Sequence, residues 1–232
     1  GTTALGSVAV RGPLDLSRKE GNLQVDVSAI DREVLNLFGA ASGLDFTTTR
    51  FDSTNRVEIA AAGQRIAVQG SLTGSRVAVK KGDLTMPPVD LRQTHDLLVD
   101  MAASTASVRA FALSGIQGGR TVLQGSLSQP LQVAFGTNAS AALPDASVKL
   151  ALQDLRLADW SALLGMPVQG SVSATADLGV RGGGKDLAVD AAASLAGLNA
   201  TVGSNRVSNL GLQANARIAV ASFASPAQRR LT

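Results

Sequence analysis

The chain has no cysteine and no tyrosine, one histidine and one tryptophan. Without cysteine there is neither a disulfide framework nor a thiolate metal site, and the redox compartment stays open. The single His95 excludes a multi-histidine metal centre. Aromatic residues make up only 3% of the 232, so any interior is built from Val, Leu, Ile and Ala. A compact β-sandwich gains much of its burial from a few large rings, whereas a thin or open sheet needs fewer. Long hydrophobic runs are missing too. No window holds the roughly 18 uninterrupted apolar residues of a membrane helix, and Gly1 to Arg11 lack a signal-peptide layout. Because the first residue is Gly rather than Met, the expectation is a processed or excised piece of a longer protein. Positive charge is not clustered: the 21 basic and 18 acidic residues are scattered, and no basic run exceeds Lys80-Lys81 or Arg229-Arg230. With so few rings to stack on bases, nucleic acid is excluded as a partner.

What is present is period-two alternation of apolar and polar residues, the mark of strands with one greasy and one wet face. It runs through Leu23/Val25/Val27, Val57/Ile59, Ile66/Val68, Leu131/Val133/Phe135 and Val148/Leu150/Leu152. It returns in Val172 to Val180, in Leu187/Val189/Ala191 and in the eleven residues from Leu210 to Val220. Turn residues punctuate these runs at Gly63-Gln64, Thr73-Gly74-Ser75, Lys81-Gly82-Asp83, Gly118-Gly119, Gly136-Thr137-Asn138, Gly182 to Gly184 and Gly203-Ser204-Asn205. Turns about 8–12 residues apart predict an antiparallel meander, since loops of two to five residues join only neighbouring antiparallel strands. The fold class is therefore all-β and mostly antiparallel, one continuous β-rich segment with two short helices.

Those helices are Asp31 to Phe38, ending at Gly39, and Ala158 to Leu164, ending at Gly165. Each has apolar residues at helical spacing (Val34, Leu35 and Phe38; Trp160, Leu163 and Leu164), an acid in its first turn and a glycine where a C-cap belongs. Each follows an alternating strand. This gives two weak pseudo-repeats, about 22–147 and 148–232, with a period of about 126 residues. Trp160 is read as a plug over the end or face of the sheet.

Catalytic signatures are absent. No Gly-x-Ser-x-Gly elbow accompanies His95, which reads as a solvated loop residue. The run Gly179 to Lys185 has the spacing of a phosphate-binding loop, but Asp186 stands where Ser or Thr would ligate magnesium, and a strand follows instead of a helix. Nucleotide binding is excluded, and the glycines read as a hairpin turn. Acids such as Asp26, Asp177 and Asp190 fall singly on polar faces or in turns. The chain is expected to be no enzyme and to need no cofactor or metal.

The stretch from Leu155 to Gly184, a leucine-rich helix, a glycine, a short loop and then an alternating strand bounded by glycines, resembles the repeating unit of the AsmA/TamB superfamily of bacterial envelope proteins. Ile30 to Gly39 is similar to a worn copy of that unit. The resemblance implies a long periplasmic sheet curled into a groove with an apolar inner face, anchored at the inner membrane by a segment outside this chain. It implies phospholipid acyl chains and envelope membrane proteins at either end as partners, with lipid transfer between the membranes or outer-membrane protein assembly as the role. Alternation then puts Val25, Val27, Val133, Phe135, Leu150, Leu152, Val172, Leu178, Val189, Leu212 and Ile218 on the lining. The readings it competes with are a structural or adhesive β-repeat module, whose apolar faces pack on each other, and a hydrolase.

Overall fold

The computed structural model describes residues 6–135, 145–181, 186–221 and 230–231. Nearly all of them belong to one antiparallel sheet, open and curled, in which neighbours in sequence are neighbours in space. The chain enters as β1 (Ser7–Arg11) and β2 (Leu14–Asp15), which both pair with β3 (Glu20–Asp31) and form one strand broken at Gly12-Pro13. The first helix, α1 (Arg32–Gly39), leads to β4 (Arg50–Ala60) and β5 (Arg65–Val77). A two-stranded hairpin, β6 (Lys80–Lys81) with β7 (Leu84–Thr85), stands apart from the sheet and leads to β8 (Val89–Asp100) and β9 (Thr105–Gln117). The next strand is again broken. Its halves β10 (Arg120–Leu127) and β11 (Leu131–Ala134) pair with the two ends of β9, and between them lies Pro130, which has no N–H to give to a ladder. Then come β12 (Ala146–Arg156), a 3₁₀ turn over Leu157–Trp160, α2 (Ser161–Leu164), β13 (Val168–Arg181), β14 (Asp186–Val202), β15 (Asn205–Ala221) and the short β16 (Arg230–Leu231).

The strands meet the sequence reading with three corrections. Thr73-Gly74-Ser75 is no turn but the interior of β5, where Gly74 pairs with Phe51. A Cβ at Gly74 would stand 2.7 Å from the Phe51 ring, so the ring lies over the glycine and uses the space that a side chain would take. His95 lies in no loop but at the middle of β8. Gly39 does not cap α1: its φ is −77°, and the chain continues through a 3₁₀ turn, Ala40–Ser42, to Gly43 at φ 66°. Gly39 is needed for close approach, since a Cβ there would stand 2.9 Å from Leu44 O and from the Phe46 ring. Gly165 does end α2 in the left-handed conformation, at φ 68°. The turns read at Gly136-Thr137-Asn138 and Gly182 to Gly184 lie outside the described residues.

At three places the chain leaves the sheet for a longer excursion, and each departure is built alike. A residue near the strand end takes a left-handed conformation, Ala29 at φ 58°, Arg76 at φ 49° and Asp154 at φ 42°. Each shifts the register of its strand by a bulge. Each freed N–H then donates to a side chain on the strand by which the excursion returns: Ala29 to Asp52 at 2.9 Å, Arg76 to Asp90 at 2.7 Å and Asp154 to Ser173 at 3.0 Å. The excursions (α1, the β6–β7 hairpin, and the 3₁₀ turn with α2) all emerge at the same end of the strands and form a rim. Asn36 fastens α1 to its return loop by donating to Asp45 and accepting from Phe46 N. Asp45 and Lys80 exchange backbone bonds of 2.9 and 2.8 Å, and Thr49 Oγ1 holds the Ala78 peptide from both sides at 3.0 Å. α2 sits beside β7, and Trp160 Nε1 donates to Gln117 Oε1 at the end of β9.

Asp52 couples this construction to pH. Its carboxylate takes a hydrogen bond from Arg50 and then one from Ala29 N, which hold it below the usual carboxylate range. A group with a lowered folded pKa adds stability while ionised. Its contribution is complete above the unfolded value of about 3.9 and is lost as pH falls through the folded value. Asp52→Asn keeps an acceptor for Ala29 N but has no proton to gain. The variant is expected to flatten the acid limb of the melting-temperature profile below about pH 4; an unaltered limb would show that the capped bulge carries none of the acid sensitivity.

Candidate functional site

Directly paired residues in a sheet point to the same side, so the registers define which side chains share a face. One row can be followed without interruption across eleven strands: Val8, Val27, Ser53, Leu72, Gln93, Leu113, Gly125, Leu150, Ala176, Ala191 and Ala216. At about 4.8 Å per strand it runs roughly 50 Å across the molecule. The row beside it, nearer the rim, passes from Ile30 through Phe51, Gly74, Leu91 and Leu123 to Leu152, Ala174, Ala193 and Ala214. Both rows lie on the apolar face.

Among the described residues no second layer covers that face, and each strand makes its main contacts with its sheet neighbours. The buried hydrophobic residues are Val77, Ala78, Val89, Val122, Ala146 and Val168. Most of them stand at the rim, with buried Thr49 and Gln117, and none in the middle of the face. Along β4 the face residues Phe51, Ser53, Asn55, Val57 and Ile59 are half-buried, while Arg50, Thr54, Arg56 and Glu58 between them are exposed. With no described element above them, the face residues lose solvent to their neighbours in the sheet.

The opposite face is wet and charged. Arg109 binds Asp96 at 2.9 Å through Nε, Arg50 reaches Asp52 at 3.0 Å, and Lys149, Asp177, Asp190 and Arg217 stand in one row, with Arg217 bonded to Asp190. Such exposed pairs add little stability, about 0–1 kcal/mol each; here they mark which side meets water.

The sequence-derived lining residues occupy these rows. Val25 and Val27 lie on β3 opposite Val10 and Val8. Leu150 and Leu152 belong to the two rows just traced. Val172 and Leu212 fall in the row Leu155, Val172, Leu195, Leu212, and Leu178, Val189 and Ile218 in the row Val148, Leu178, Val189, Ile218. Val133 pairs with Ala106 at the end of the strands away from the rim and is exposed. Phe135 follows β11, its N–H donating to Ser104 O at 2.9 Å, so it stands at the margin rather than over the floor.

Two features of this face are not in that set. Between the Val172 and Leu178 rows the floor of β13 to β15 is all alanine: Ala174, Ala176, Ala191, Ala193, Ala214 and Ala216. Leu123, Leu150 and Leu152 border it, and with it and the intervening Ala151, Thr175, Ala192 and Asn215 they line a shallow depression of about 350 Å³. The second feature is polar. Ser53 and Asn55 on β4 and Gln93 and His95 on β8 share the apolar face, with Leu72 and Gly70 between them. The phase of Leu91, Leu97 and Val99 in the sequence places Gln93 and His95 there, a signal legible without coordinates. Among the described residues no helix is long and apolar enough to cross a membrane, and no group of three or more His, Asp or Glu side chains is placed to hold a metal ion. No protein-family model, curated protein or solved structure matches the chain.

Proposed function

We propose that this chain is a non-catalytic segment of a bridge-like envelope protein, and that its apolar groove conducts phospholipid acyl chains across the periplasm between inner and outer membranes. The observation that carries the reading is an apolar face that no described element covers, continuous over ten strands from Ile30 to Ala214, in a protein whose buried side chains stand mostly at the rim. An acyl chain in water costs about 0.8 kcal/mol per CH₂. A two-chain lipid therefore crosses an aqueous gap only along a continuous apolar path. The rows run perpendicular to the strands, so the path lengthens with each strand added to the meander. Aliphatic walls and an alanine floor offer contact without directional bonds, which favours sliding over lodging.

The partners in this reading are acyl chains along the groove and membrane proteins at its two ends. The test is to purify the protein from a bacterial envelope without strong detergent and identify bound molecules by native mass spectrometry. Phospholipid bound to the folded chain is the expected result. A preparation that remains folded, carries no lipid and takes none up from vesicles of phosphatidylethanolamine and phosphatidylglycerol would leave the structural-module reading in its place.

A further inference from the structure

We infer that Asn55, Gln93 and His95 form a hydrogen-bonding station inside the groove. It takes the neutral polar linkage of an amphiphile, an ester carbonyl or a hydroxyl next to an aliphatic chain, while the chain lies along the neighbouring apolar rows. The inference rests on the reading of this face as a guest groove and adds the chemistry of what the guest must carry.

A polar group covered by an acyl chain without a partner is costly, and a strand is as easily built with Val or Leu at these positions. Polar side chains are nevertheless gathered at one place on the face, on two strands with one strand between them. Part of their bonding capacity is used internally: Asn55 Nδ2 donates to Ser53 Oγ at 2.9 Å, and Gln93 Nε2 lies 3.2 Å from His95 Nδ1. His95 Nδ1 also lies 3.4 Å from Gln93 Oε1, and the tautomer sets whether Nε2 meets a guest as donor or as acceptor. Asn55 keeps its carbonyl oxygen and a second amide hydrogen. Among the described residues neither His95 Nε2 nor Asn55 Oδ1 has a recorded hydrogen bond.

Asn55, Gly70 and His95 occupy one row on three adjacent strands, so the middle position has no side chain. The Asn55 amide takes that space, its Oδ1 lying where a Cβ on Gly70 would overlap it. Val25 and Phe111 close the row on either side, and Val57, Val68 and Leu97 form the next row. A polar atom set against the Asn55 amide thus has apolar surface beside it for an attached chain. Charge selects against other guests. The acids and bases of these strands, Asp96 with Arg109 and Asp52 with Arg50, belong to the wet face, and a phosphate taken out of water would find no fixed countercharge beside the imidazole. The group fitted is neutral, with an acceptor for the ring N–H or a donor for Asn55 Oδ1.

The chain has one histidine, so its imidazole signals are those of the site. Full-length protein titrated with methyl decanoate, 1-decanol and n-decane separates the ester, hydroxyl and bare-chain contributions. The expected result is saturable movement of the His95 ring signals with the ester or the alcohol, and binding about tenfold tighter than for decane, the worth of one or two net hydrogen bonds. His95→Leu combined with Asn55→Val should bind decane at least as well and lose the preference. Circular dichroism checks that the variant keeps its sheet, and the wild-type titration stands without it. Decane bound as tightly as ester and alcohol, with the ring signals unmoved, overturns the station and leaves the groove intact. Failure of all three to bind overturns both readings.

Discussion

Replacing Val89 by Asp is expected to remove most of the protein's stability, whereas Leu178→Asp, on the same face of the same sheet, is expected to leave it folded. Val89 is 5% exposed at the rim, opposite Val77, and Leu178 is 36% exposed in the open floor between Val148 and Val189. A carboxylate at position 89 has no water and no cation to meet, and an unpaired buried charge costs about 4 kcal/mol or more, a large share of a domain's 5–15. At position 178 the carboxylate reaches solvent in the groove. The loss is the partial burial of one leucine and a weak strand preference, about 1–2 kcal/mol together. Urea midpoints measure both. Low pH provides an internal check: burial raises the new carboxyl's pKa at position 89, so the variant should recover part of its deficit as the group protonates, and the position 178 variant should not. Equal losses at the two sites would mean that the central face is packed as tightly as the rim.

The contrast follows from how the chain spends its alternation, and most of that was legible in the sequence. Runs such as Val172 to Val180 and Leu210 to Val220 are strands because period two admits no other regular structure, and short loops between them require an antiparallel meander. The two helices were legible from their spacing, and the second also from its cap at Gly165. Less legible was everything set by a neighbour distant in the chain. Gly74 reads as a turn residue until Phe51 lies across it, and Gly39 reads as a cap until Leu44 and Phe46 pack against it. His95 misleads for another reason. Seen alone it is a polar residue fit for a loop, but its phase with Leu91 and Leu97 places it on the greasy face. Alanine is silent on either count, since it marks neither an apolar nor a polar face. The floor at Ala174, Ala176, Ala191 and Ala193 therefore emerges only once the registers of β13 and β14 align these residues. The rim was invisible for want of any sequence signal for left-handed Ala29, Arg76 or Asp154 at the three departures.

The alanine floor also supplies the sharpest test of the proposed path. Ala176→Glu is expected to reduce lipid loading by tenfold or more, and Thr175→Glu, its neighbour in β13, to leave it unchanged. The two positions differ by one residue and so face opposite sides of the sheet, Ala176 in the long row with Leu150 and Ala191, Thr175 opposite Ala151 and Ala192 on the wet face. Both variants gain the same charge in the same strand, which removes net charge as an explanation. In the groove, a guest chain must either bury the carboxylate or lift away from the floor. Leaving only two or three CH₂ groups exposed already costs about 2 kcal/mol, more than a factor of ten in affinity. Neither change should lower the urea midpoint by more than about 1 kcal/mol in stability, because both side chains remain in water when no lipid is bound. Loading is read by native mass spectrometry and by transfer of a fluorescent phospholipid between vesicles. If both variants load lipid as well as the parent does, the chains do not lie on this floor. If both fail equally, charge is acting at a distance from a path that runs elsewhere.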